Sequence, residues 1–192
     1  MKAVEVLPEG YREYFSIDLQ KDKKIAVLLN ALALVIAAVL VVPMIFVVPF
    51  STLAGADYWL KLGAMLGLMV VYMVLHELVH GITMKYCGTK KVKYGFTGMY
   101  AFAGSEDFYD KSGYILIALA PVVFWGVVIA AINAFVPEGW FWVVYMIQVT
   151  NLSGAAGDLY VTVKFSRFPK DILIKDHGVG MTVYSKEGIK EQ

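Results

Sequence analysis

The sequence predicts an all-α membrane protein: a bundle of four transmembrane helices, with short cytoplasmic β-strand and hairpin elements in the loop after the second span and in the tails. Three observations predict it. The chain is 59% hydrophobic with a mean hydropathy of +0.64, and only 17% of it is charged, where a soluble domain is about one quarter charged. The apolar residues fall in four long blocks instead of being spread through the chain. The basic residues fall between those blocks and not within them. At 192 residues the chain is read as a single integral membrane domain over residues 1–192.

Taken in order, the first block is Ile25–Phe50, interrupted by Pro43 and Pro49. The second is Tyr58–Met84. The third is Gly113–Val136, with Pro121 expected to kink it. The fourth is Trp140–Val163. At 1.5 Å per residue each exceeds a hydrocarbon core of roughly 30 Å, so each can span with some tilt. The segment before the first block carries ten charged side chains in 24 residues. It is therefore not expected to be a secretory signal, and no lipidation signal is expected either.

Orientation follows from lysine and arginine. Sixteen of the 17 basic residues lie in the N-terminal tail, in the loop after span two and in the C-terminal tail. The loops 51–57 and 137–139 hold none, and Lys61 at the start of span two is expected to snorkel outward. The positive-inside rule then places both termini in the cytoplasm. Tyr58, Trp59, Trp140 and Trp142 are expected to form an aromatic belt at the outer interface.

Alternation over residues 15–19 predicts a short strand in the N-terminal tail. Two more candidate strands are Asp171–Ile174 and Met181–Tyr184, separated by the turn "KDHGVG"; the tails then either pair beneath the membrane or form flexible tails. The stretch "VKYGFTGMYAFAG", residues 92–104, reads as a membrane-associated strand or hairpin, or else as an interfacial loop anchored by its aromatic residues. Gly63 and Gly67 form a G-x-x-x-G on span two that suits helix packing within or between chains. Cys87 is the single cysteine, which excludes a disulfide framework and a cysteine-based zinc site. A net charge of +1 points to no nucleic-acid partner.

The chemistry concentrates in "VLHELVHGI", residues 74–82. His76 and His80 are four apart, so a helix carries both imidazoles on one face, one turn apart. Both can then ligate one zinc ion, while Glu77 points beside it, where a general base for the hydrolytic water belongs. Three fixed residues recur by chance, so the setting carries the weight. Ionisable groups inside a span cost about 2.5 kcal/mol or more each on insertion scales, and they are retained for function.

A catalytic zinc site takes a third protein ligand and keeps an open position. Asp158 in span four, Glu106 in the cytoplasmic loop and His177 in the C-terminal tail are the candidates. Depth favours Asp158. His76 and His80 lie nine and five residues before Lys85, and Asp158 lies six before Lys164, on spans running the same way. All three groups then sit about 8–13 Å above the cytoplasmic interface. Gly154 and Gly157 allow close helix approach there. Glu106 with Asp110 forms E-x-x-x-D and is the rival, and His177 reads as an ordinary exposed histidine.

These residues resemble the site-2 protease family of intramembrane zinc metalloproteases. More closely, the chain is similar to small bacterial membrane proteins classed as zincin-type peptidases of unknown function. "HELVHG" matches the first zinc motif, "ALAPVV" at 118–123 is similar to the family's A-G-P segment, and "NLSGAAGD" places Asn151 ahead of Asp158. The chain departs in having glycines where that second motif has prolines, Leu159 after the aspartate, and Ala120 before Pro121. The resemblance implies a near-minimal, multi-pass enzyme of a prokaryotic plasma membrane, with its active site toward the cytoplasmic side.

The expected reaction is metal-assisted peptide hydrolysis with one Zn2+ per chain, Glu77 as base, and a membrane protein or peptide in the bilayer as substrate. Asn151, two helical turns before Asp158, either donates to the oxyanion or ties helices together. Tyr94, Phe96, Gly98 and Tyr100 are the candidate substrate-binding residues, in a strand that pairs with an extended substrate. Two other classes compete: a divalent-metal transporter with Glu77 as ligand or relay, and a non-catalytic scaffold with a structural zinc.

Overall fold

The computed structural model describes residues 3–18, 21–98, 101–178 and 180–186. Among the described residues, five α-helices and six β-strands follow one another. Strand β1 is Arg12–Asp18 and helix α1 is Lys23–Val47; α2 is Tyr58–Tyr86. Strands β2 (Lys93–Phe96), β3 (Ala101–Gly104) and β4 (Phe108–Asp110) precede α3 (Lys111–Phe135). Helices α4 (Phe141–Gly154) and α5 (Ala156–Ser166) come next, then β5 (Leu173–Asp176) and β6 (Gly180–Ser185).

The protein is mostly helical, and three helices, α1, α2 and α3, are long and apolar enough to cross a membrane. Their bounds fall within about three residues of the expected spans. The prolines explain where α1 stops: Pro43 is absorbed inside it, while the helix ends before Pro49, which opens a short 3-10 turn at Phe50–Leu53. The fourth expected span is not one helix. It breaks at Ala155 (φ −83°, ψ 18°) into α4 and α5, with glycines on either side of the break. Neither piece alone is long enough to cross. The break places Asp158 in the first turn of α5, where the helix dipole favours a carboxylate.

The short β elements expected in the loop after span two and in the tails are present as small antiparallel sheets. One sheet has four antiparallel strands in the order β1-β6-β5-β4, and β2 and β3 form a separate hairpin. The alternating tail segments pair with one another, Phe15 opposite Val183 and Ile17 opposite Met181. The expected strand at Asp171–Ile174 lies two residues further on. The turn after it closes through the His177 N–H to the Gly180 carbonyl, with Gly178 at φ +90°. Strand β4 had no strand signal in the sequence; it pairs Phe108–Asp110 with β5.

The chain divides into two compact units. The first comprises Met1–Val27, Glu77–Ala120 and Asp158–Gln192. Its core brings Ile17 and Val183 of the sheet against Met84, Ile117 and Phe165 of the helices. Phe165, Ile174 and Val183 are fully buried.

The second unit comprises Leu28–His76 and Pro121–Gly157. Apolar packing alone holds helices weakly in lipid, so polar side chains add specific ties. The Trp142 indole N–H donates to the Val48 carbonyl at 3.1 Å, and the Tyr145 hydroxyl donates to the Leu40 carbonyl at 2.9 Å. Trp142 therefore does not join an interfacial belt. It is fully buried and stacks on Phe50 at 4.1 Å, whereas Trp59 remains exposed. Lys61 is buried as well, paired with Asp57 at 3.1 Å. A Cβ added at Gly63 or Gly67 would meet nothing within 4 Å, so their glycine face packs against none of the described residues.

Candidate metal centre

Helix α2 runs unbroken through "HELVH", so His76 and His80 stand one turn apart on one face, as the i, i+4 spacing dictates. Both are buried, each 8% exposed. Asp158, in the first turn of α5, brings Oδ1 to 3.6 Å from His80 Nε2. One ligand atom from each of His76, His80 and Asp158 lies within 4.8 Å of the other two.

The donor set fits zinc. Two ligands held tetrahedrally at 2.0–2.1 Å are about 3.3–3.4 Å apart, close to the His80–Asp158 separation. Two imidazoles and one carboxylate are also a common catalytic-zinc set with a fourth position open.

The imidazole tautomers agree with that use. His80 Nδ1 lies 2.9 Å from the Ile117 carbonyl, which only accepts, so Nδ1 carries the proton and the ring's lone pair is on Nε2. The source of that carbonyl is legible in the sequence. In α3 it would normally accept from the N–H of residue 121, but residue 121 is proline, with no N–H and a ring that pushes the i−4 carbonyl aside. The proline of "ALAPVV" thus releases the acceptor that orients His80.

His76 is served differently. Its Nδ1 lies 2.7 Å from the Tyr72 hydroxyl, one turn earlier on α2, and that hydroxyl donates to Asn151 Oδ1 at 2.6 Å. Asn151 Nδ2 donates in turn to the Val122 carbonyl at 3.1 Å. Asn151 is completely buried, and its bonds tie α4 to α2 and α3.

Glu77 is partly buried, and the backbone of Ala103 in β3 lies beside its carboxylate. Strand β3 is thereby set beside the general-base candidate. Tyr94 on β2 reaches back to α2, where its hydroxyl fills the space that a Cβ at Gly81 would take. Phe96 and Gly98 are exposed on the same hairpin, and Tyr100 lies outside the described residues.

Glu106 is engaged elsewhere. Its oxygens are 2.7 Å from Lys93 Nζ and 2.8 Å from Lys175 Nζ, and these ammonium groups hold its carboxyl at about 2. His177 is exposed in the β5–β6 turn, its backbone packed against Gly104.

Sequence reasoning passed over several residues that support the site. Tyr72 carried a signal, a hydroxyl at i−4 from His76 inside an apolar span. Asp176 carried none. On β5 it accepts from the Tyr114 hydroxyl at 2.8 Å and from the Gly178 N–H at 2.7 Å, and burial pushes its carboxyl up.

Among the described residues, three helices are long and apolar enough to cross a membrane, and one of them carries a histidine pair that with Asp158 could hold a metal ion. A family model described as putative zincin peptidase matches residues 68–173, more than half of the chain, and the chain belongs to that family. The matched stretch contains Tyr72, both histidines, Glu77, Pro121, Asn151 and Asp158. No curated protein and no solved structure matches the chain.

Proposed function

We propose that this chain is an intramembrane zinc metallopeptidase of the site-2 protease type, hydrolysing peptide bonds of membrane-associated substrates near the cytoplasmic face. The observation that carries the reading is the convergence of His76, His80 and Asp158, with Glu77 adjacent, on a helix fit to cross a membrane. In this reading α4 and α5 together complete a fourth crossing. Both tails face the cytoplasm, and the membrane is a prokaryotic plasma membrane.

One zinc ion per chain, held by His76, His80 and Asp158, supplies a Lewis acid that polarises the scissile carbonyl and makes water a stronger nucleophile at neutral pH. The Glu77 carboxylate takes the proton of the attacking water and passes it to the leaving amine nitrogen, a role worth about 10²–10⁴-fold in rate. A helical substrate hides its carbonyls, so it must bind extended.

Strand β3 suits that task. Among the described residues β3 pairs with β2 alone, and beyond its end the Ser105 N–H is taken by the Asp176 carbonyl. In this reading an extended substrate adds as a strand along the edge of β3 that faces away from β2. Tyr94, Phe96 and Gly98 on the hairpin are the proposed substrate-binding residues, with Tyr100 a fourth that lies outside the described residues.

The test compares Glu77→Gln with Asp158→Asn in detergent-purified protein, by zinc content and by cleavage of a transmembrane model peptide. Glu77→Gln should retain one zinc per chain and lose at least about 100-fold in cleavage rate. Asp158→Asn should lose the zinc. Wild-type cleavage by Glu77→Gln would refute the peptidase reading, and zinc flux into vesicles surviving that substitution would replace it with transport.

A further inference from the structure

The hydrogen bonds behind His76 have a direction, and it is set from the far end. The Val122 carbonyl can only accept, so the Asn151 group 3.1 Å from it is the amide nitrogen. That places Asn151 Oδ1, again only an acceptor, 2.6 Å from the Tyr72 hydroxyl. Tyr72 has a single proton, and it goes to Oδ1. The His76 nitrogen 2.7 Å from the same hydroxyl must then be the donor. The proton of the neutral ring sits on Nδ1, and its lone pair is on Nε2.

Asn151, Tyr72 and His76 are 0%, 6% and 8% exposed. Bulk water is therefore a poor substitute for any member of the chain.

We propose that Tyr72 and Asn151 are positioning residues of the metal centre: a proton-ordering relay from α4 to α2 that holds His76 as the Nδ1–H tautomer and so makes it a ligand through Nε2. The proposal rests on the zinc-peptidase reading above and adds to it. Its distinctive consequence is that the residue further from the metal matters more. Removing Tyr72's hydroxyl only deprives Nδ1–H of an acceptor. Removing Asn151's carbonyl frees the Tyr72 proton to turn toward His76 Nδ1, which then accepts. The ring switches to Nε2–H, the form that cannot bind metal through Nε2.

The experiment measures zinc affinity by chelator competition and the visible spectrum of the cobalt-substituted protein. It compares wild type, Tyr72→Phe, Asn151→Leu and the double variant, all in detergent, with thermal unfolding of the metal-free forms alongside. Loss of an outer hydrogen bond to a ligating histidine weakens metal binding about 10–100-fold. Tyr72→Phe should fall at about 10-fold and Asn151→Leu at about 100-fold. The double variant should return to the Tyr72→Phe level, because no hydroxyl remains to misdirect the ring.

Multiplicative losses in the double variant, or an Asn151→Leu protein that binds zinc at least as well as Tyr72→Phe, would overturn the relay while leaving the zinc site standing. A wild-type protein that binds no zinc would overturn both readings. A measurement independent of variant folding is the ¹⁵N spectrum of the metal-free wild type labelled at its three histidines. His76 should show an Nδ1–H resonance, and an Nε2–H resonance would refute the relay.

Discussion

Replacing Pro121 with alanine should move stability and metal affinity in opposite directions. The proline lies inside α3 and is fully buried. Alanine restores a backbone N–H and removes a residue that costs a helix interior about 3 kcal/mol. It also deletes two buried methylene groups, worth about 0.8 kcal/mol each. The metal-free protein should therefore gain about 1–2 kcal/mol. The restored N–H at residue 121 takes the Ile117 carbonyl, and relief of the ring's steric push lets that carbonyl swing back to the helix axis. His80 Nδ1, now 2.9 Å from that oxygen, loses or shares its acceptor. Because a carbonyl has two lone pairs, sharing is the milder outcome, and the expected loss of zinc affinity is about 10-fold, the lower end of the outer-shell range. Chelator competition reads the affinity, and thermal unfolding of the metal-free protein in detergent reads the stability. Zinc affinity unchanged in a protein that unfolds at a higher temperature would show that the proline does not serve His80.

Two further outcomes follow from the same geometry. Gly81→Ala places a methyl group where the Tyr94 hydroxyl lies; because Tyr94 is 47% exposed, its ring can swing away without unfolding the protein. The melting temperature should change little while KM for a model substrate rises several-fold, and unchanged kinetics would remove Tyr94 from the substrate path. Glu106→Gln should alter acid stability: the carboxyl, held at about 2 against an ordinary 4.5, contributes stability fully present above about 4.5 and lost as pH falls through about 2. Because Glu106 is well exposed, the contribution is on the order of 1 kcal/mol or less, and an unfolding profile between pH 5 and 2 identical to wild type would show that its lysine pairs add nothing.

Much of the architecture was legible because one physical demand, matching apolar length to a bilayer, writes itself into composition. The bounds of α1, α2 and α3 lay in hydropathy and proline placement, and the tail strands lay in period-two alternation. The first three members of the site were legible because HExxH needs only a helix to place them. Asp158 was within reach because basic residues report depth. What stayed hidden was short or non-local. The β4 strand is three residues long, too short to show a period. The break at Ala155 looked like a mere small-residue stretch in a continuous span. Trp142 carried the same letter as an interfacial anchor, and only packing against Phe50 and Val48 made it a core residue.

The sequence by itself determined α1, α2 and α3, their lengths, the histidine pair and its neighbouring glutamate, since these depend on hydrophobic pattern and on spacing along one helix. Only the tertiary structure decided which groups lie within hydrogen-bond reach of the histidines and of Tyr72. The Ile117 carbonyl lies 37 residues from His80, and Asn151 lies 79 residues from Tyr72. Hydrogen bonds at such separations follow from how helices pack; Pro121 shows locally that the Ile117 carbonyl is free to accept, but not that His80 is its partner.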